Sequence, residues 1–324
     1  MRAGRILLVL LATALVAPIA RAQQDAAAYP MRPIRIVVGF AAGGGNDILA
    51  RLVGQKLSEA LNRSVLIENR PGANGELAAD YVKNAAPDGY TLLVGASGMM
   101  SVSPVVNKKL TYAPLRDFTA IGMIASFPLV LVVYPATPVR TVQDLVAYAK
   151  QNPAKANYAE PSVAFQVVVE QLKLKTGAPL QYIPYKSSAE ALTAVMSGTT
   201  LATLIDSGPA VGAIKGGQVR GLAITSVERS SELPDVPTMT KAGFPDLSVS
   251  FWNGLFGPAG IPPPITRKLA AELTRAVKQP DMRERMRVLA VVPEGRPGEE
   301  LRRLIAAEIA RVGEVVRIAN INTN

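Results

Sequence analysis

The pentapeptide Gly95-Ala96-Ser97-Gly98-Met99 comes within one residue of the Gly-x-Ser-x-Gly turn that presents a nucleophilic serine. A serine hydroxyl needs a neighbouring base before it can attack, and the chain has no histidine and no cysteine. Their absence removes thiolate nucleophiles, disulfides and the common zinc, copper and haem ligand sets. Acid–base work would fall to carboxylates such as Asp47 or Asp206, or to Lys, Tyr and Ser. An exported enzyme built on those carboxylates is one alternative; the composition favours binding over catalysis, with no cofactor and no metal.

Gly43-Gly44-Gly45-Asn46-Asp47 offers a different chemistry. Glycines let a backbone approach a ligand, Asn46 is a good N-cap, and Asp47 suits the positive end of a helix. The free N–H groups of such a helix start attract anions. The dinucleotide pattern fails because Ile48 stands where a third glycine belongs, and no Gly-Lys-Ser/Thr follows for a phosphate loop. Three later segments repeat the design. Ser162 precedes a helical stretch with Phe165 and Gln166, Ser187-Ser188-Ala189-Glu190 reads as a capping box, and Asp206-Ser207-Gly208-Pro209 joins a strand to a helix. Plain helix capping explains each alone. Together they put several helix starts at one C-terminal strand edge, where open α/β sheets bind ligands.

The elements that must hold these loops alternate short β-branched runs with longer amphipathic ones, the pattern of an α/β fold with mostly parallel strands. Strands are expected at 34–40, 64–68, 90–95, 129–134, 181–184, 201–205, 221–225 and 249–256. Helices are expected at 46–61, 76–84, 142–151, 164–176, 188–197, 264–278 and 298–317. The order suggests one domain with a second inserted into it.

The start of the chain sets the compartment. Arg2 and Arg5, an apolar run from Ile6 to Ala20, and Ala20-Arg21-Ala22 form a secretory signal, with cleavage expected before Gln23. The run is too short to span a bilayer. Without cysteine the mature end cannot carry a lipoprotein anchor, so the expectation is an exported, soluble protein; a monomer is expected. Arg2, Arg5 and Arg21 leave with the signal, which takes the net charge from +10 to +7. No basic run is interleaved with aromatics, which argues against nucleic acid; a positive field still helps to steer anions.

The sequence resembles the solute receptors of tripartite tricarboxylate transporters, the Bug family of periplasmic binding proteins. The likeness lies in Tyr29-Pro30 leading to Pro33-Ile34-Arg35-Ile36-Val37-Val38, and in the Gly-rich loop with Asp47. Glu68-Asn69-Arg70-Pro71-Gly72-Ala73, Ala86-Pro87-Asp88-Gly89-Tyr90-Thr91-Leu92, Pro184-Tyr185-Lys186, Leu233-Pro234-Asp235-Val236-Pro237-Thr238 and Trp252-Asn253-Gly254-Leu255-Phe256 continue it. The resemblance implies a two-domain periplasmic binding protein of type II, a Venus flytrap with parallel-rich sheets flanked by helices. Residues 1–22 would be the signal peptide, 23–125 and 250–324 domain 1, and 126–249 domain 2. It implies a small organic carboxylate as ligand and membrane permease subunits as partners; a membrane sensor protein without a permease is the alternative.

Carried over by position, the ligand-binding candidates in the first domain are Phe40, Ala41, Gly43, Gly44, Asp47, Ala96 and Ser97. Those in the second are Ser162, Phe165, Gln166, Tyr185, Ser187, Ser188 and Asp206. Asp47 and Tyr185 have an architectural alternative. The segment from Asn157 to Gln166 departs from the family: it is shorter and more apolar, and it carries Glu160. That departure suggests a ligand whose far end is apolar, aromatic or cationic, rather than a citrate-like polyanion.

Overall fold

The computed structural model describes residues 28–160, 162–319 and 321. The expected signal peptide lies outside the described residues.

The chain runs β1 (Ile34–Val38), α1 (Gly45–Leu61), β2 (Val65–Asn69), α2 (Glu76–Lys83), β3 (Thr91–Ala96), α3 (Ser103–Val106), α4 (Pro114–Asp117) and β4 (Phe118–Val133). It continues α5 (Val142–Gln151), β5 (Asn157–Glu160), α6 (Val163–Thr176), β6 (Gln181–Pro184), α7 (Ser188–Met196), β7 (Ala202–Asp206), α8 (Ser207–Lys215) and β8 (Arg220–Ile224). Last come β9 (Ser250–Pro258), α9 (Pro263–Val277), α10 (Pro280–Val288), β10 (Val292–Pro293) and α11 (Gly298–Ala319).

Local chemistry explains the helix ends. In α1, Leu49, Val53, Leu57 and Leu61 recur at four-residue spacing and are buried, and Asn62 closes the helix in the left-handed region. Thr141 and Asp144 cap α5 reciprocally. Ser162 accepts the Ala164 N–H at the start of α6, and Gly177 ends that helix at φ 65°. At α7, Ser187 Oγ accepts the Glu190 N–H as the sequence suggests. The Glu190 carboxylate reaches one residue further back than a capping box, to the Lys186 N–H.

The strands order as β2-β1-β3-β9-β4-β7-β5-β6, with β8 and β10 also pairing on β4. β1 is parallel to β2 and β3, and β5 is parallel to β6 and β7. These are the parallel arms that βαβ patterning predicts. The centre is antiparallel: β9 runs against β3 and β4, and β7 and β8 run against β4. The sheet is therefore mixed, with β4 as its spine. The first part of β4 joins β9 and β10 in one lobe, and Leu129–Val133 join β7 and β8 in the other.

Helices cover both faces of each lobe. In the first lobe, Leu49, Leu57 and Leu269 fill one face of the sheet, and Trp252, Phe256 and Leu301 the other. In the second, Tyr158, Val168 and Leu172 fill one face, and Ala191, Ile205 and Val236 the other. Helix α11 straddles the two. Leu301 and Ile305 pack in the first lobe, while Val312, Val315 and Val316 pack among second-lobe residues.

Candidate functional site

A cleft of about 440 Å³ lies where the lobes meet. Its first-lobe wall comes from Phe40 after β1, Ala73 and Asn74 in the turn before α2, and Ala96 ending β3. Beyond these come Gly98, Met99 and Val102 in a π-helical turn. Ser162, Val163 and Ala164, at the start of α6, supply the second-lobe wall. A methyl placed on Gly98 would lie 3.6 Å from Ala164 Cβ, so the lobes touch across the mouth.

The floor depends on close backbone packing. A Cβ on Gly39 would fall 2.5 Å from Gly75 Cα, so that position admits only glycine, and Gly75 itself sits at φ +90°. This approach sets the Ala73–Gly75 turn beside Phe40. Asn69 pins Phe40 from another side, its Nδ2 donating to the Phe40 carbonyl at 3.0 Å and to Asp47 Oδ1 at 2.9 Å. Single-turn π-helical segments tend to occur at functional sites. Here the π-turn presents Gly98 and Met99 to the cleft directly after β3.

Asp47 is buried and serves as a brace. It accepts hydrogen bonds from Gly43 N–H at 2.8 Å, Arg51 Nε at 2.9 Å and Asn69. Burial alone would raise its pKa, but these donors outweigh burial and hold it below the ordinary 3.8. Ala41, Gly43 and Gly44 are exposed and are not among the residues that line this cleft.

The other sequence candidates fall into separate places. Ser97 is buried beneath the cleft wall, where its Oγ accepts the Trp252 N–H at 3.3 Å. It faces a small cavity of about 20 Å³ shared with Ser101, Glu308 and Arg311. Phe165 packs edge-on against Phe251 at 4.7 Å, in the core, and Gln166 is half-buried beside it. Tyr185 lies against α7 in a shallow depression with Ala189, Glu190 and Thr193. Ser187 caps α7, and Ser188 Oγ donates to Asp206 Oδ2 at 2.8 Å. Phe40, Ala96 and Ser162 are thus the sequence candidates that this cleft gathers.

Sequence reasoning missed Ala73, Asn74, Met99, Val102 and Lys109, all at the cleft. The Asn74-Gly75 pair was a readable turn signal, and Met99, Val102 and Val106 follow helical spacing. Glu76, also on the wall, is held by Asn107 Nδ2 at 2.7 Å. Lys109 is the exposed cation at this cleft, and no arginine lines it. An anion there would be met chiefly by backbone N–H groups at helix starts.

Glu160, at the end of β5, is fully buried, and among the described residues neither carboxylate oxygen has a hydrogen-bond partner. Burial, and then the nearby Asp206 carboxylate, push its pKa well above the usual range.

A family model described as tripartite tricarboxylate transporter family receptor matches residues 49–321. The chain belongs to this family. Among relatives of this receptor, the protein BugT of Bordetella pertussis is 32% identical over 292 residues, covering 89% of this chain and 90% of BugT. The Rhodopseudomonas palustris protein Rpa4515, solved with adipate, superposes at TM-score 0.80 with 32% identity, covering 90% of this chain and 99% of that one. MatC from the same organism, solved with bound malate, gives 0.76 with 33% identity, covering 89% and 100%. The fold is that of the two-lobed periplasmic binding proteins. Tripartite tricarboxylate transporter receptors bind solutes and are not enzymes, so the near-elbow holds no catalytic nucleophile. Among the described residues no helix is long and apolar enough to cross a membrane.

Proposed function

We propose that this receptor captures a small organic carboxylate in the periplasm and hands it to a membrane permease of the tripartite tricarboxylate type. Residues 1–22 direct export; residues 23–125 with 250–324, and 126–249, are the two domains that close on the ligand. The observation that carries this assignment is the meeting of helix starts from both lobes at one cleft. The π-turn after Ala96 comes from the first lobe and Ser162–Ala164 from the second. That adipate and malate occupy two relatives of the same fold supports a carboxylate here.

Magnitudes agree without a guanidinium clamp. Micromolar affinity needs about −8.2 kcal/mol. A helix start contributes roughly 0.3–1 kcal/mol to an anion, and each hydrogen bond to a charged group about 1.5–3 kcal/mol. A few of each suffice after ordering costs.

A thermal-shift panel of mono-, di- and tricarboxylates tests the assignment. A ligand at about 100 times its Kd stabilises the fold by about 2.7 kcal/mol. Stabilisation by at least one short carboxylate, and none by sugars of similar size, is the expected result. A folded protein that no carboxylate stabilises would overturn it.

A further inference from the structure

Helix α11 is an element that both lobes share. Leu301 and Ile305 anchor it in the first lobe, and Val312, Val315 and Val316 in the second. Between these anchors, one helical turn apart, stand Glu308 and Arg311. Both are half-buried, and each reaches a different lobe. Glu308 Oε2 accepts the indole N–H of Trp252, on β9, at 3.1 Å. Arg311 Nη1 donates to Gln171 Oε1, on α6, at 3.4 Å.

Both side chains line the cavity of about 20 Å³, which lies directly behind the cleft: Val102 of the π-turn and Ala164 of α6 line the two spaces alike. Ser101 of the π-turn is buried there, and among the described residues its Oγ completes no hydrogen bond. Burial pushes the Glu308 carboxyl above its ordinary 4.5, while Ser101, Trp252 and the Arg311 charge pull it down. Burial likewise lowers the pKa of Arg311, against the support of the Glu308 charge. Among the described residues no other charged side chain lines this cavity. Each is therefore the other's counter-charge, and neutralising one strands the other in a partly dehydrated site.

We propose that Glu308 and Arg311 are positioning residues for the ligand cleft, a charge pair on α11 that ties the π-turn wall of the first lobe to the α6 wall of the second. Neither touches the cleft itself. Glu308 acts through Trp252 and the π-turn, and Arg311 acts through Gln171 and α6, whose first residues face the ligand space. The inference rests on the cleft being the ligand site, and it extends the binding machinery to a helix behind that site.

Hydrogen exchange of the full, ligand-free protein, read over residues 98–102, 162–171 and 45–61, tests the tie. Glu308→Gln keeps an acceptor for the indole and removes the charge. Gln171→Met removes the partner of Arg311 from the second lobe alone. Each should speed exchange in both cleft walls by about tenfold or more, the value of one hydrogen bond to a charged group. Helix α1 should keep the exchange of the parent. The double variant should fall short of the product of the two single effects, because both cut the same tie. Acceleration confined to the wall whose own contact was altered, uniform acceleration of the whole chain, or a Glu308→Gln protein that exchanges like the parent would each overturn the proposal. The experiment uses no ligand, so those results leave the carboxylate assignment standing, and the thermal-shift panel tests that assignment separately.

Discussion

Gly98 of the first lobe and Ala164 of the second stand across the mouth of the cleft with room for one methyl group, 3.6 Å from Ala164 Cβ. Each belongs to the start of a helical segment, so two helix starts face each other over the cleft. Gly98→Ala should be tolerated, since 3.6 Å is ordinary van der Waals contact. Gly98→Leu should prop the lobes apart and weaken carboxylate binding by on the order of tenfold, in line with the cost of overpacking. Titration of both variants with a ligand found by the panel, alongside small-angle scattering for lobe closure, checks this.

The Gly-rich loop stands on Asp47. Asp47→Asn replaces an acceptor of three hydrogen bonds with a side chain whose amide end faces donors. The expected loss is about 1–3 kcal/mol at neutral pH, read from the urea midpoint. Asp47 has its folded pKa below 3.8, so its stabilisation is present above that value and is lost as pH falls through the folded pKa. The difference between the variant and the parent should therefore shrink in strong acid.

Glu160 carries the opposite sign. Its folded pKa is raised well above 4.5, so the stability it permits is full below 4.5 and is lost as pH rises toward the folded value. Glu160→Gln should raise the melting temperature of the ligand-free protein at pH 7.5, by the equivalent of about 1–3 kcal/mol. At pH 4 the two proteins should melt together.

Trp252, the single tryptophan, is fully buried in β9, and its Nε1 donates to Glu308 Oε2 of α11 at 3.1 Å. Glu308→Ala would strand that indole N–H and destabilise the protein by about 1–3 kcal/mol. Denaturation followed by the fluorescence of Trp252 itself measures the loss.

The sequence was most informative where local chemistry decides the outcome. Val142–Gln151 and Gln181–Pro184 match their expected spans because a capping box opens the first and the residues around the second mark its ends. Strand β4 was legible only over its last residues. Gly122, Ser126 and Pro128 interrupt its pattern, and its sixteen residues become one strand through tertiary pairing with β9, β7, β8 and β10. Only that pairing reveals the antiparallel centre of the sheet. The candidate site divides in the same way. Ser162 was readable as a helix cap, whereas the π-turn at Gly98–Val102 contains glycine and serine, which disfavour helix, and forms by packing. Asp47 looked like a ligand contact because its position at a helix start suits either role; its three partners make it a brace in this structure.

The most direct test of a cleft that holds its ligand by the carboxylate is a titration of the best-binding acid beside its own carboxamide. The amide keeps the shape and removes the charge that the helix starts and charge-assisted hydrogen bonds address. The carboxylate should bind one per chain and at least about 100-fold more tightly, the value of two such hydrogen bonds at the low end. An amide that binds as tightly as the acid would contradict anion recognition in the cleft.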